Sequence, residues 1–152
     1  MYNQPMNHEY YMWEALKEAQ KSIEKGSLPF SAIVVDRDGN IAWRDHDRVQ
    51  EYMDPTAHGE INIIRKLCKD LNTLDLSWYI FYTSSEPCPT CLSACIKAHV
   101  QELYYWAETE STASLPIKAM DLAKYSKKYP IKVVWWILSK ECLEQRNTFF
   151  IL

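Results

Sequence analysis

Four residues in two short stretches carry most of the chain's chemical potential. Cys88 and Cys91 lie in Pro87-Cys88-Pro89-Thr90-Cys91. Thiols at i and i+3 share one face of a helical turn, and a disulfide, a redox couple or half of a metal site would each use such a pair. His58, 30 residues before Cys88, favours the metal. A second Cys-x-x-Cys would make a closed structural site, and the chain has none. Two thiolates and one imidazole leave a fourth position open, which is the arrangement of a catalytic zinc. An open zinc brings a bound water's pKa to near neutrality. Glu60 is then placed to move that water's proton to a substrate. Residues two apart on an ideal helix point about 160° apart. His58 and Glu60 therefore suit a helix tip, one side chain on metal and the other on substrate.

The elements that must position these groups are readable from periodicity. Met12, Trp13, Leu16, Ala19 and Ile23 fall at helical spacing between Glu9 and Lys25, and Gly26 closes that helix. "FSAIVV", "DRDGN" and "IAWRD" read as strand, turn and return strand. "DPTAHGEINIIRKLCKDL" reads as a helix with Asp54 as N-cap and Pro55 in the first helical position. "SWYIFYTSS" is a third strand that runs into the cysteine segment, "TCLSACIKAH" a helix, and "VQELYYWA" a fourth strand. A helix over Leu115 to Tyr129, a fifth strand in "IKVVWWIL" and a closing helix capped by Ser139 complete the reading. A leading helix followed by β-β-α-β-α-β-α-β-α describes an α/β fold, a three-layer α/β/α sandwich around a mixed sheet. With no repeat or linker in view, residues 1–152 read as a single domain.

Composition narrows the function classes. Apolar residues make up 47% of the chain and glycines number three, which suits a packed core rather than disorder. The formal net charge of -3 provides no general basic field for nucleic acid. No apolar run reaches the roughly 20 residues of a membrane span, and the N-terminal stretch lacks a secretory pattern. The expected location is cytoplasmic, where five cysteines are expected to be free or metal-bound rather than paired.

His58-Gly59-Glu60 with Pro87-Cys88-Pro89-Thr90-Cys91 has the H-x-E and P-C-x-x-C pattern of zinc nucleobase deaminases. "DPTAHGEINIIRK" and "YTSSEPCPTCLSA" resemble the guanine deaminase and tRNA adenosine deaminase branch of the cytidine deaminase superfamily. The resemblance runs from about Tyr10 to Trp106 and weakens beyond. It implies a five-stranded sheet and one zinc per subunit on His58, Cys88 and Cys91. It implies hydrolytic loss of ammonia, with Glu60 protonating a ring nitrogen and then the leaving amine. It also implies a homodimer or larger oligomer. Asp47, Gly59, Phe30 and Ser85 are the candidate substrate-binding residues.

Departures from the family pattern shape the substrate expectation. Gly59 replaces the usual alanine, keeping a backbone N–H that contacts substrate in the family, at a helix-propensity cost of up to about 1 kcal/mol. Asp47, in "RDHDRV", stands where an asparagine binds the substrate ring. An ionised aspartate only accepts hydrogen bonds, so the pocket should prefer a ring edge presenting N–H groups, as in guanine or an aminotriazine. Lys97 occupies a position that is aromatic in many guanine deaminases. The expected partner is therefore a small nucleobase or nucleoside, most of all guanine, with nucleic acid disfavoured. The rivals are a tRNA-specific adenosine deaminase and a non-catalytic deaminase-fold subunit. His46 and His99 read as satisfied or surface histidines. Cys68, Cys95 and Cys142 read as core residues, and Trp135 and Trp136 as sheet core with an interface contact.

Overall fold

The computed structural model describes residues 5–108 and 115–136. Helix α1 spans His8–Glu24; Asn7 caps it by accepting the Tyr10 N–H, and Gly26, at φ +79°, lets the chain turn away. Strands β1 (Ser31–Asp36) and β2 (Ile41–His46) form the expected hairpin. Within its turn, one Asp36 carboxylate oxygen accepts the N–H groups of Asp38 and Asn40. After β2 come the short helix α2 (Val49–Tyr52), α3 (Gly59–Asp70), β3 (Tyr79–Ser85) and α4 (Pro89–Lys97). Strand β4 (Glu102–Ala107), helix α5 (Ala119–Ala123) and strand β5 (Lys132–Trp135) complete the described elements.

The sheet has five strands in the order β2-β1-β3-β4-β5. β1 runs antiparallel to β2 and β3, whereas β3, β4 and β5 are mutually parallel. The mixed sheet expected from the sequence is therefore present. Alternation along the central strands feeds two cores. Ala32, Val34, Phe81, Leu103 and Tyr105 pack with Ile63, Leu67, Leu92 and Cys95 of α3 and α4 on one face. Ile33, Val35, Ile80, Tyr82 and Tyr104 pack with Tyr11, Met12, Ala15 and Leu16 of α1 on the other. The parallel strands β3 and β4 end at the same edge of the sheet, and the cysteine segment leaves β3 there. In open α/β sheets that edge is where ligands bind.

Three local expectations are corrected. Helix α3 begins at Gly59 with His58 as N-cap, not at Pro55. Asp54 instead accepts the N–H and hydroxyl of Thr56, a local turn that outcompetes a helical start. Helix α2 was not anticipated; it is four residues long and has no buried residue, so it carries no apolar periodicity to read. The helix expected over Leu115–Tyr129 is confined to Ala119–Ala123, and beyond it the Ser126 hydroxyl donates to the Tyr129 carbonyl in a turn. The expected closing helix, with Ser139 and Cys142, lies outside the described residues.

Candidate active site

Each candidate ligand sits at a helix tip. His58 is the N-cap of α3 and Cys88 the N-cap of α4, both with extended backbone, while Pro89 opens α4 and Cys91 lies in its first turn. Pro at that position is preorganised for a helix start and gives up no hydrogen bond. The two tips converge. His58 Nδ1 lies 3.3 Å from Cys91 Sγ and 3.7 Å from Cys88 Sγ, and the three ligand atoms all fall within 4.8 Å of one another. Zn–S and Zn–N bonds at a tetrahedral angle put sulfur and nitrogen about 3.6 Å apart, so the observed separations suit that ion.

One of the three donors is already poised as an anion, while the other two would give up protons to a metal. A hydrogen bond from Cys91, together with one from His58, brings the Cys88 thiol down to about 4 against the opposing effect of burial. The same bond and burial push the Cys91 thiol up, so this sulfur donates its proton into the Cys88 thiolate. His58 is raised, chiefly by its hydrogen bond to Cys88. A thiolate already faces the imidazole before any metal is considered.

Glu60 is the second residue of α3 and is only 8% exposed. Burial pushes its carboxyl up to about 7, against its own backbone hydrogen bond and the His58 charge, which favour ionisation. In the metal-free site burial thus favours the protonated carboxyl, and a cation on the three donors would pull it back toward the ionised form that accepts a proton.

Glu60 faces a cavity of about 630 Å³ that is also lined by Phe30, Asp47, His58, Ser85, Cys88 and Cys91, a volume typical of small-molecule sites. Asp47 is buried; its N–H donates to the Phe30 carbonyl and its Oδ1 accepts the Val49 N–H. The adjoining strand ends are fixed by Ser84, whose hydroxyl accepts the Ser31 N–H and donates to the Pro29 carbonyl. The lining also holds Glu86 and, among the described residues, no lysine or arginine.

Gly59 does not line the cavity. It is buried at the start of α3, and a Cβ there would meet Ala32 N and Asp45 O at 3.0 Å each. The glycine lets the helix tip lie against the backbone of β1 and β2, a reason for its presence that propensity could not supply. Lys97 is exposed at the far end of α4 and does not reach the cavity. His46 is buried, bonded through Nδ1 to Glu18 at 2.8 Å, and belongs to the α1–β2 contact. His99 stacks on Tyr129. Cys95 is core and Cys68 packs at the core's edge. Trp136 packs against the α1-side core, while Trp135 is 47% exposed. Glu86 and Leu115 are lining residues that sequence reasoning missed. Glu86 directly precedes the cysteine motif, the one signal that could have drawn attention to it.

A mixed five-stranded sheet with a histidine and two cysteines at paired helix tips defines a zinc-type deaminase. The family model described as cytidine and deoxycytidylate deaminase zinc-binding region matches residues 5–107, and the chain belongs to that family. It is 40% identical to a guanine deaminase of Bacillus subtilis over 109 residues, 71% of this chain and 69% of that protein. It is 32% identical to a tRNA-specific adenosine deaminase of the same organism over 143 residues, 93% of this chain and 88% of that protein. The X-ray structure of guanine deaminase from Bacillus subtilis superposes with a TM-score of 0.66 at 32% identity, covering 95% of this chain and 94% of that one. A structure from work on A-to-I editing by tRNA:A34 deaminases gives a TM-score of 0.73 at 29% identity, covering 84% and 97%. Among the described residues no helix is long and apolar enough to cross a membrane.

Proposed function

We propose that this protein is a hydrolytic deaminase of a small purine base whose ring edge presents N–H groups, guanine or a close analogue. The observation that carries this reading is Asp47, a buried acceptor in the same cavity as Glu60, His58, Cys88 and Cys91. His58, Cys88 and Cys91 would hold zinc, one per subunit, which when bound supplies the Lewis acidity that activates water. Glu60 takes one proton of that water and delivers it to a ring nitrogen, then collects the second from the new hydroxyl as its C=O bond forms and passes it to the departing amine. One C–O bond forms, one C–N bond breaks, and ammonia leaves. Asp47 accepts from the ring N–H groups and orients the ring, Phe30 offers it an apolar wall, and Ser85 is the remaining candidate contact. The reading includes a single domain over residues 1–152 acting as a homodimer in the cytoplasm.

A second reading, tRNA-specific adenosine deamination, is favoured by the relative of that name that aligns with 93% of the chain. A polyanionic substrate calls for lysine and arginine at the rim, and the described lining has neither while carrying Asp47, Glu60 and Glu86. Ammonia release measured over guanine, guanosine, adenine, cytosine, pterins, aminotriazines and tRNA separates the two, with Glu60→Ala as control. Guanine or a related amino-ring should be the best substrate. Release from tRNA alone would overturn the proposal, and release from none, with zinc bound, would mark a non-catalytic subunit. Asp47→Asn should lower the preference for guanine over adenine by about tenfold, the scale of one buried hydrogen bond to a charged group. An unchanged preference removes Asp47 from substrate recognition.

A further inference from the structure

Glu86 is a buried carboxylate in the cavity lining that neither the metal chemistry nor the proton transfer uses. Its surroundings are specific. Its backbone N–H donates to the Ala107 carbonyl at 2.7 Å, which fixes the residue to the end of β4 just before the cysteine segment begins. Its Oε1 accepts the N–H of Ala119, the first residue of α5, also at 2.7 Å. Its Oε2 is buried without a hydrogen bond and lies 3.8 Å from Lys118 Nζ, which is itself 3.7 Å from Glu108 Oε1. One carboxylate thus faces a helix-start N–H with one oxygen and an ammonium with the other. The stretch so held continues back to Leu115, which lines the cavity.

We propose that Glu86 is a positioning residue that holds residues 115–119 in place as a wall of the cavity, and so governs substrate binding rather than the chemical step. The role attributed to the cavity rests on the deaminase reading; the latch itself does not. The restraint rests on the Ala119 bond, because removing the carboxylate leaves that buried N–H without an acceptor and takes away one of the charges facing Lys118. Glutamine in its place could still accept the Ala119 N–H but could not pair with Lys118. The position of Glu86 two residues before Cys88 places the wall and the metal-binding tip on one short rigid segment.

The test is hydrogen–deuterium exchange of the full-length protein together with zinc content and steady-state kinetics. In Glu86→Ala, exchange in the peptide spanning 115–123 should rise by about tenfold or more, with zinc remaining near one per chain. Glu86→Gln should retain part of that protection. KM for the best substrate should rise by about tenfold in the alanine variant while kcat stays within about twofold, the pattern of lost binding rather than lost chemistry. Unchanged exchange at 115–123 overturns the latch. An equal fall in kcat with no change in KM overturns its assignment to binding. If the alanine variant does not fold, Glu86→Gln and Lys118→Met decide: raised exchange in 115–123 in both supports the latch, and native exchange in both removes it. Absence of activity in the unaltered protein would sink the deaminase reading alone, since exchange and zinc content still report on the latch.

Discussion

On one side of the cavity, His58, Glu60, Cys88 and Cys91 sit at the tips of α3 and α4, helices whose inner faces are locked into the sheet core. Another part of its lining, Leu115, 55% exposed, reaches the cavity from a stretch that Glu86 ties down at Ala119. The tips are held by extensive apolar packing; the second stretch is anchored at Ala119, which is buried in the same core and bonded to Glu86, and leaves Leu115 half exposed. Groups that must meet reacting atoms within tenths of an ångström gain from the stiff arrangement. A wall that only shapes the space around the substrate tolerates a looser one. Relatives named for guanine and for tRNA fit this division, because an exposed lining residue can change without disturbing the candidate metal tips.

The largest effect that can break this contrast is at the metal. His58→Ala should abolish zinc retention and with it ammonia release, by about a thousandfold or more, read by metal content and turnover on the same preparation. Retained zinc with full activity would dissolve the distinction between the two sides.

Next is the buried carboxyl. Burial raises Glu60 from 4.5 to about 7. In metal-free protein the folded state keeps a proton that the unfolded chain releases across that interval. The contribution to stability is therefore full below pH 4.5 and lost as pH rises through about 7. Glu60→Gln removes this loss, so between those pH values the metal-free variant should gain on the native protein by up to about 3 kcal/mol. Chemical denaturation at both pH values measures it, and parallel pH profiles would refute it.

Gly59→Ala probes how tightly the α3 tip is set. The new methyl would press on Ala32 N and Asp45 O, both backbone atoms, and this should outweigh the gain in helix propensity, lowering stability by about 1 kcal/mol. A stabilised variant in denaturant melts would show that the tip has slack. The smallest effect belongs to the looser wall: Leu115→Ala should raise KM by about threefold with kcat unchanged, the scale of part of an apolar side chain leaving contact. A kcat loss as large as that of a Glu60 variant would put both sides on the same footing.

The same contrast explains what could be read before the fold was known. His58, Glu60, Cys88 and Cys91 are recognisable because ligand chemistry restricts residue type and helix tips restrict spacing. β1 and β3 are recognisable because burial on both faces demands β-branched and aromatic runs. Asp54 misled because an N-cap and a local turn onto Thr56 use the same side chain in the same way. Helix α2 has no buried face to leave a pattern. The role of Glu86 depends on Ala119, 33 positions away, and the fit of Gly59 depends on the backbones of two strands. Neither long-range contact leaves a local trace. The start of α5 was likewise invisible, since Lys118, its N-cap residue, makes no capping hydrogen bond with its side chain.

The three ligand atoms come from two helix tips that no local segment joins. His58 follows the β1–β2 hairpin, the cysteines follow β3, and the two are brought together by β1 pairing with β3 from Ala32–Thr83 to Asp36–Tyr79. An unfolded chain therefore offers only a two-sulfur fragment, and the complete set of donors exists only once that pairing has formed. An ion held by this set would link occupancy to strand assembly, each tenfold rise in free ion above its dissociation constant adding about 1.4 kcal/mol to the folded state. A cell that limits the ion would lower the amount of intact protein as well as its turnover.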